Sequence, residues 1–222
     1  MPHITQHIHL ATIDSTQNYL RDNFNGGNVL VSTGEQTSGF GRQGKLWIHQ
    51  KESLAFSFTL KPGEVATLTP LEVAVLISDF FKKIFSLELK LKWPNDLLNE
   101  KGEKCGGILI QNIDGVLMVG VGINLTLGRP IKERTFYPAG SLKITRVSVR
   151  NLSRDIYEYI LKHRLNPTII KKSWAEKCIH MDATVQIDKL TGVFKGLGPM
   201  GEALVFNGEV VSVYSGQLSP LT

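Results

Sequence analysis

The chain has 222 residues, of which 42% are hydrophobic and 20% charged, with 25 Lys+Arg, 20 Asp+Glu, two Cys and 21 Gly. At this length roughly 70% of the unfolded surface can be buried without a disulfide staple, and the composition excludes disordered and collagen-like classes. The longest apolar runs, such as Val73 to Ile77, fall far short of the ~20 residues of a membrane span, which predicts no membrane partner.

The opening segment alternates, with His7 and His9 on one side and Ile8 and Leu10 on the other, and reads as a half-buried strand. Asp14 or Ser15 can cap a helix running to about Phe24; Gly26-Gly27 ends it, and Val29 to Val31 reads as a buried strand. Leu54 to Leu60 is a further strand, closed by Pro62-Gly63. Thr69-Pro70-Leu71-Glu72 reads as a capping box with proline at the first helical position, followed by an apolar face of Leu71, Ala74, Val75, Phe81 and Phe85. Leu89 to Trp93, Gly107 to Gln111 and Val116 to Val121 are strand candidates, the last two joined about Asp114-Gly115. Arg150 to Leu161 has a helical pattern, and Asn166-Pro167 opens a helix ending near Lys177. Beyond Asp182 come four short β-type segments, Ala183 to Asp188, Thr191 to Gly196, Ala203 to Phe206 and Val210 to Tyr214. The pattern predicts an α+β domain over 1–182 with a mixed sheet and helices, and a small β-barrel over 183–222 that leans on it.

Four stretches carry candidate chemistry. In Glu35 to Trp47, Gly39, Gly41 and Gly44 let the backbone approach a ligand, while Arg42 and Lys45 add positive charge suited to phosphate. This is neither a Walker loop nor a good dinucleotide fingerprint, since it leads into Trp47 and a strand; a surface hairpin turn is the plain alternative. Lys92-Trp93-Pro94-Asn95-Asp96 places Asn95 and Asp96 in the turn after a strand, where Asp96 can hold Mg²⁺ or a polar group. Lys104-Cys105-Gly106-Gly107 leads into a buried strand; if extended, Lys104 and Cys105 point to opposite faces. Val121-Gly122-Ile123-Asn124 ends a strand with an amide that either ties a loop or faces a ligand.

In this order the motifs resemble the biotin protein ligase (holocarboxylase synthetase) family. Glu35 to Trp47 is similar to its E-Q-T-A-G-R-G-R-R-G-R-x-W loop, and Lys92 to Asp96 matches its K-W-P-N-D without change. Lys104 to Ile110 is similar to K-x-x-G-I-L, Gly120 to Asn124 to G-(I/A)-G-I-N, and Asp14-Ser15-Thr16-Gln17 to the opening D-S-T-(N/Q). Gly192 to Val205 is similar to the pattern of the family's C-terminal barrel. The resemblance implies a class II aminoacyl-tRNA synthetase-like catalytic domain with a C-terminal SH3-like β-barrel. It also implies a two-step reaction: biotin and ATP give biotinyl-5′-adenylate and pyrophosphate, and the adenylate then acylates a lysine of the biotin carboxyl carrier protein of acetyl-CoA carboxylase.

Carried over residue by residue, the resemblance makes Arg42 and Lys104 catalytic. It assigns Ser15, Thr16, Gln17, Gln36, Phe40, Gly41, Arg42, Lys104 and Gly106 to biotin. Gly39, Gly41, Arg42, Lys92, Trp93, Asn95, Asp96 and Asn124 fall to ATP or the adenylate, with Asp96 on Mg²⁺ or orienting groups around it. The glycine loop is expected to close over the adenylate and exclude water. Phe40 stands where the family usually has arginine, Gln43 and Lys45 also replace arginines, and Gln111 replaces a frequent glutamate. These departures predict a leakier adenylate and leave room for a slow biotin-binding paralogue. A lipoyl or octanoyl transferase of the same fold is the other alternative, because some use a Cys beside a Lys.

The first motif starts at Asp14, which leaves no room for an N-terminal winged helix and points to a ligase-only protein without a DNA partner. Residues 129–172 carry 11 Lys+Arg and 3 Asp+Glu, a local +8 over a −3 remainder. With few aromatics interleaved, that stretch reads as a solvated face, or as a docking surface for acidic carrier domains around Lys143 and Arg146. The Met-Pro-His-Ile-Thr-Gln-His start lacks a signal peptide, and Cys105 and Cys178 lack metal-ligand spacing, so a cytoplasmic setting is expected. His3, His7 and His9 read as a polar strand face and Trp174 as core. A homodimer is compatible with these features.

Overall fold

The computed structural model describes residues 3–50, 52–128 and 137–221; Arg129, Lys132 and Arg134 of the basic stretch lie outside them. Seven strands, β1 (Gln6–Ile13), β2 (Val29–Gln36), β3 (Glu52–Leu60), β4 (Lys90–Lys92), β5 (Asp96–Leu98), β6 (Lys104–Ile113) and β7 (Val116–Thr126), form one sheet in the order β1-β2-β3-β7-β6-β5-β4. Strands β1 and β2 are parallel, joined by α1 (Thr16–Asn23), and the other pairs are antiparallel.

Side-chain alternation divides the faces of this mixed sheet. Along β3, Leu54, Phe56, Phe58 and Leu60 enter the main apolar core, and along β7 Leu117, Val119, Val121, Ile123 and Leu125 do the same. This core packs against α2 (Thr69–Phe85), α3 (Val149–Lys162) and α4 (Pro167–Lys177). On the opposite face α1 covers only a small cluster of Leu20, Val29, Val31 and Met118. The remainder of that face, with Ser57, Gly120 and Gly122, is left open as the floor of a cavity.

Local chemistry sets the helix ends. Ser15 caps α1 by accepting from Asn18 N at 3.3 Å, and Asn166 caps α4 by accepting from Ile169 N at 3.0 Å with Pro167 following. The capping box at Thr69 does not form. A 3₁₀ turn, Ala66–Leu68, runs straight into α2, so Thr69 is already helical and its buried hydroxyl has no partner among the described residues. Buried Glu72 instead accepts from Arg164 Nε at 2.8 Å, Arg164 Nη2 at 3.0 Å and Leu165 N at 2.8 Å, tying α2 to the start of α4.

Strands β8 (Thr184–Ile187), β9 (Leu190–Leu197), β10 (Ala203–Phe206), β11 (Val210–Val213) and β12 (Leu218–Pro220) form an antiparallel sheet in the order β11-β10-β9-β8-β12. The expected barrel is thus a five-stranded sheet whose end strands, β11 and β12, are not paired to each other among the described residues. Val185, Ile187, Phe194, Ala203, Val205 and Leu218 belong to the same core as the helices, and Trp174 on α4 meets Phe194 with ring centroids 6.2 Å apart. The Trp93 indole N–H donates to Gly201 O at 3.0 Å, a second tie between the sheets.

Candidate active site

A cavity of about 660 Å³ lies over the open face of the seven-stranded sheet. Its floor is nearly bare backbone. Gly107 and Gly122 are cross-strand partners on β6 and β7, and Gly120 lies one step further along β7. A Cβ on Gly122 would sit 2.5 Å from Cε2 of the Trp47 indole, so only glycine lets that ring lie on the strand. A Cβ on Gly120 would sit 2.8 Å from Gln17 Oε1.

One end of the cavity is neutral and polar. Gln36 Oε1 accepts from Thr16 N at 2.9 Å and from Thr16 Oγ1 at 3.2 Å, and Thr16 Oγ1 lies 2.9 Å from Ser57 Oγ. The Gln17 amide donates to Met118 O at 2.9 Å and to Gln111 Oε1 at 3.1 Å. Its buried Oε1 and the Trp47 indole N–H have no partner among the described residues, which leaves one acceptor and one donor for a bound molecule.

The other end is cationic. Arg42, Lys45, Lys92 and Lys104 line the cavity, with Asp96 the single carboxylate among the described residues. Lys92 Nζ sits 2.7 Å from Asp96 Oδ2, and Lys104 Nζ sits 2.7 Å from Asp96 Oδ1. Burial alone would raise the Asp96 carboxyl, but the two ammonium groups overcome it and hold the group below the usual carboxylate range. Asp96 is the first residue of β5, directly across from Lys92, and not a member of the preceding turn as its motif suggests; that pairing brings the two charges together. It is a poor metal ligand here, because both oxygens are taken by lysines, and no group of three His, Cys, Asp or Glu suited to a metal occurs among the described residues. Partial burial lowers the Arg42 pKa, an effect that nearby Asp96 opposes.

A β-bulge brings Lys104 into this set. Opposite β5, Leu97 pairs with Gly106 and Leu98 with Lys104, so Cys105 is an extra residue. The bulge puts Lys104 on the cavity side with Gly107 and Leu109, while Cys105 turns into the core, its thiol 3.4 Å from Leu97 O. Burial pushes the Cys105 thiol up to about 12, far from a thiolate at neutral pH.

The glycine loop is a small hairpin at the cavity edge. Phe40 bridges Leu46, Gly41 N donates to Lys45 O at 2.7 Å, and Trp47 N donates to Gly39 O at 2.9 Å. Lys45 Nζ reaches the segment before β12, donating to Gln217 Oε1 at 2.8 Å.

Of the residues expected at the site, Ser15, Thr16, Gln17, Gln36, Phe40, Gly41, Arg42, Lys92, Asn95, Asp96, Lys104 and Asn124 line the cavity. Gly39, Trp93 and Gly106 do not. Gly39 lies under Trp47, Trp93 is core, and Gly106 faces Leu97 and Ile123, since a Cβ there would meet both side chains and Gly122 O. Asn124 ties a loop, donating to Gly140 O at 3.1 Å and accepting from Ser53 Oγ at 3.4 Å. Ser57, Tyr137 and Gln217 were missed. Ser57 is legible as a small polar residue within the Leu54 to Leu60 alternation, but Tyr137 and Gln217 carry no local signal.

Residues 10–127 match the Biotin/lipoate A/B protein ligase family. The chain belongs to this family. It is 26% identical to the bifunctional ligase/repressor BirA of Bacillus subtilis, over 97% of this chain and 73% of that protein. It is 33% identical to the chloroplastic biotin–protein ligase 1 of Arabidopsis thaliana over 53% of this chain, spanning only 36% of that protein's length. Among solved structures it is similar to the biotin protein ligase of Aquifex aeolicus in complex with biotin and ATP, at 27% identity and a TM-score of 0.80, covering 97% of this chain and 98% of the other.

Proposed function

We propose that this family member is an ATP-dependent biotin protein ligase. The observation that carries the reading is the division of one cavity into a neutral hydrogen-bonding end and a cationic end joined by a glycine floor. A ureido ring needs neutral donors and acceptors, which Thr16, Gln17, Gln36 and Ser57 offer. A triphosphate needs fixed positive charge, which Arg42, Lys45, Lys92 and Lys104 supply. The likeness to a solved ligase holding biotin and ATP supports the same pairing of ligands here.

In the first step a biotin carboxylate oxygen attacks the α-phosphorus of ATP, forming the acyl–phosphate bond and releasing pyrophosphate. Arg42 and Lys104 face the developing negative charge. In the second step the neutral amine of a carrier lysine attacks the acyl carbonyl, forming an amide and releasing AMP. Lys92 and Lys104, each paired to Asp96, give the wall positive charge from the chain's own residues.

The buried Cys105 thiol argues against a lipoyl or octanoyl transferase working through a thioester, since it is neither ionised nor on the cavity side. ATP–pyrophosphate exchange tests the reading: biotin supports exchange, while lipoate and octanoate do not. The reverse preference overturns it. The acceptor is proposed to be an acidic carrier domain docking near exposed Lys143 and Arg146, whose neighbours Leu142 and Ile144 anchor the segment in the core.

A further inference from the structure

Tyr137 and His180 belong to none of the family-like motifs, yet Tyr137 lines the cavity beside the cationic wall and His180 stands behind it. The Lys92 ammonium, on a side chain only 3% exposed, lies 5.3 Å from the centroid of the Tyr137 ring. The Tyr137 hydroxyl lies 2.6 Å from His180 Nε2, and the two rings meet edge to face, 74° apart with centroids at 5.9 Å. His180 sits outside the cavity, buried in the turn between α4 and β8. The adjoining chain also holds the strand that carries Lys92: Leu91 bridges Cys178, and Ile179 N donates to Leu91 O at 3.2 Å.

Both partners of this contact are neutral, and they share one hydrogen bond: the phenol donates when the ring's hydrogen is on Nδ1 and accepts when it is on Nε2. Burial, with Lys92 adding to it, holds His180 down at about 4, so the ring stays neutral across the neutral range. Burial, with Asp96 adding to it, pushes the Tyr137 phenol up to about 12, so the hydroxyl stays protonated and uncharged. With its hydroxyl fixed, the ring turns its negative face to Lys92. Asp96 alone cannot set the ammonium's place, because its charge is divided with Lys104.

We propose that Tyr137 and His180 are positioning residues that hold the Lys92 ammonium at the phosphate-binding wall of the cavity. The assignment of that wall to phosphate rests on the adenylate-forming reading above. The test is the Kd of a non-hydrolysable ATP analogue beside the Kd of biotin, each measured by calorimetry on the full chain. Neither needs turnover, so the result is separate from whether the chain exchanges pyrophosphate. Tyr137→Leu, which removes the ring, weakens the analogue about 10-fold. Tyr137→Phe and His180→Leu, which free the ring, each weaken it about 3-fold, and the double variant is no worse than either. His180→Gln keeps a group that can donate or accept and restores binding to within twofold of wild type. Biotin Kd stays within twofold throughout. If His180→Leu does not fold, the contrast of Tyr137→Phe with Tyr137→Leu decides. Analogue affinity unchanged in the folded Tyr137 variants, or biotin and analogue weakened alike, overturns the proposal.

Discussion

With Lys92 on one oxygen and Lys104 on the other, both at 2.7 Å, Asp96 organises cations instead of offering its lone pairs to a metal. Its motif in the sequence could not distinguish these roles, because Lys104 arrives from another strand. Asp96→Asn leaves a buried ammonium without its counter-charge and should cost about 3 kcal/mol, read from the denaturation midpoint at constant m. The carboxyl's pKa is depressed in the fold, so its contribution is full above the unfolded value and lost as pH falls through the folded one. The gap between wild type and Asp96→Asn therefore narrows in acid; a pH-independent gap would remove the charge from this account. Phe40 lines the cavity where an arginine would add a fifth cation, and its ring can cover a ligand but cannot bind phosphate. Phe40→Arg should slow adenylate release severalfold in a stopped-flow experiment, and an unchanged rate would show that Phe40 does not set retention.

Strands and their irregularities decide which residues reach the cavity. Leu54 to Leu60 is a strand, as the sequence predicts, and the Asp114-Gly115 hairpin joins β6 to β7 where the sequence placed it. The bulge at Cys105 was not legible, because a strand's pattern does not reveal where its partner skips a residue. Lys104 and Cys105 face opposite ways as expected, but the bulge selects which of them faces the ligand. The Thr69 capping box failed for a related reason: the competing partner of Glu72, Arg164, is 92 residues away. On the floor, Gly122→Ala forces the Trp47 indole off β7 and should destabilise the protein by about 1–3 kcal/mol. Its adenylation should fall further than that of a surface Gly115→Ala control, and equal falls would separate the indole from the site.

At the scale of the molecule, the cavity is assembled from both sheets. Lys45 in the glycine loop contacts Gln217, and Trp93 from the K-W-P-N-D motif contacts Gly201. Sequence pattern does not reveal these ties, which depend on how the second sheet shares the helical core. No helix among the described residues is long and apolar enough to cross a membrane. The exposed cations Lys143 and Arg146 both have positive φ, 58° and 59°, on a segment anchored by Leu142 N to Asn124 O at 3.0 Å and Ile144 N to Leu125 O at 3.1 Å. Reversing both charges should slow transfer to an acidic carrier about tenfold at low salt and leave pyrophosphate exchange unchanged; equal slowing of both rates would exclude docking. The most direct measurement of the whole account is the intact mass of a biotin carboxyl carrier domain after incubation with this protein, ATP and an equimolar mixture of biotin, lipoate and octanoate. The account predicts one biotinyl group per carrier, absent when the acceptor lysine is replaced by arginine. A carrier left unmodified, or bearing lipoyl or octanoyl in place of biotin, would contradict it.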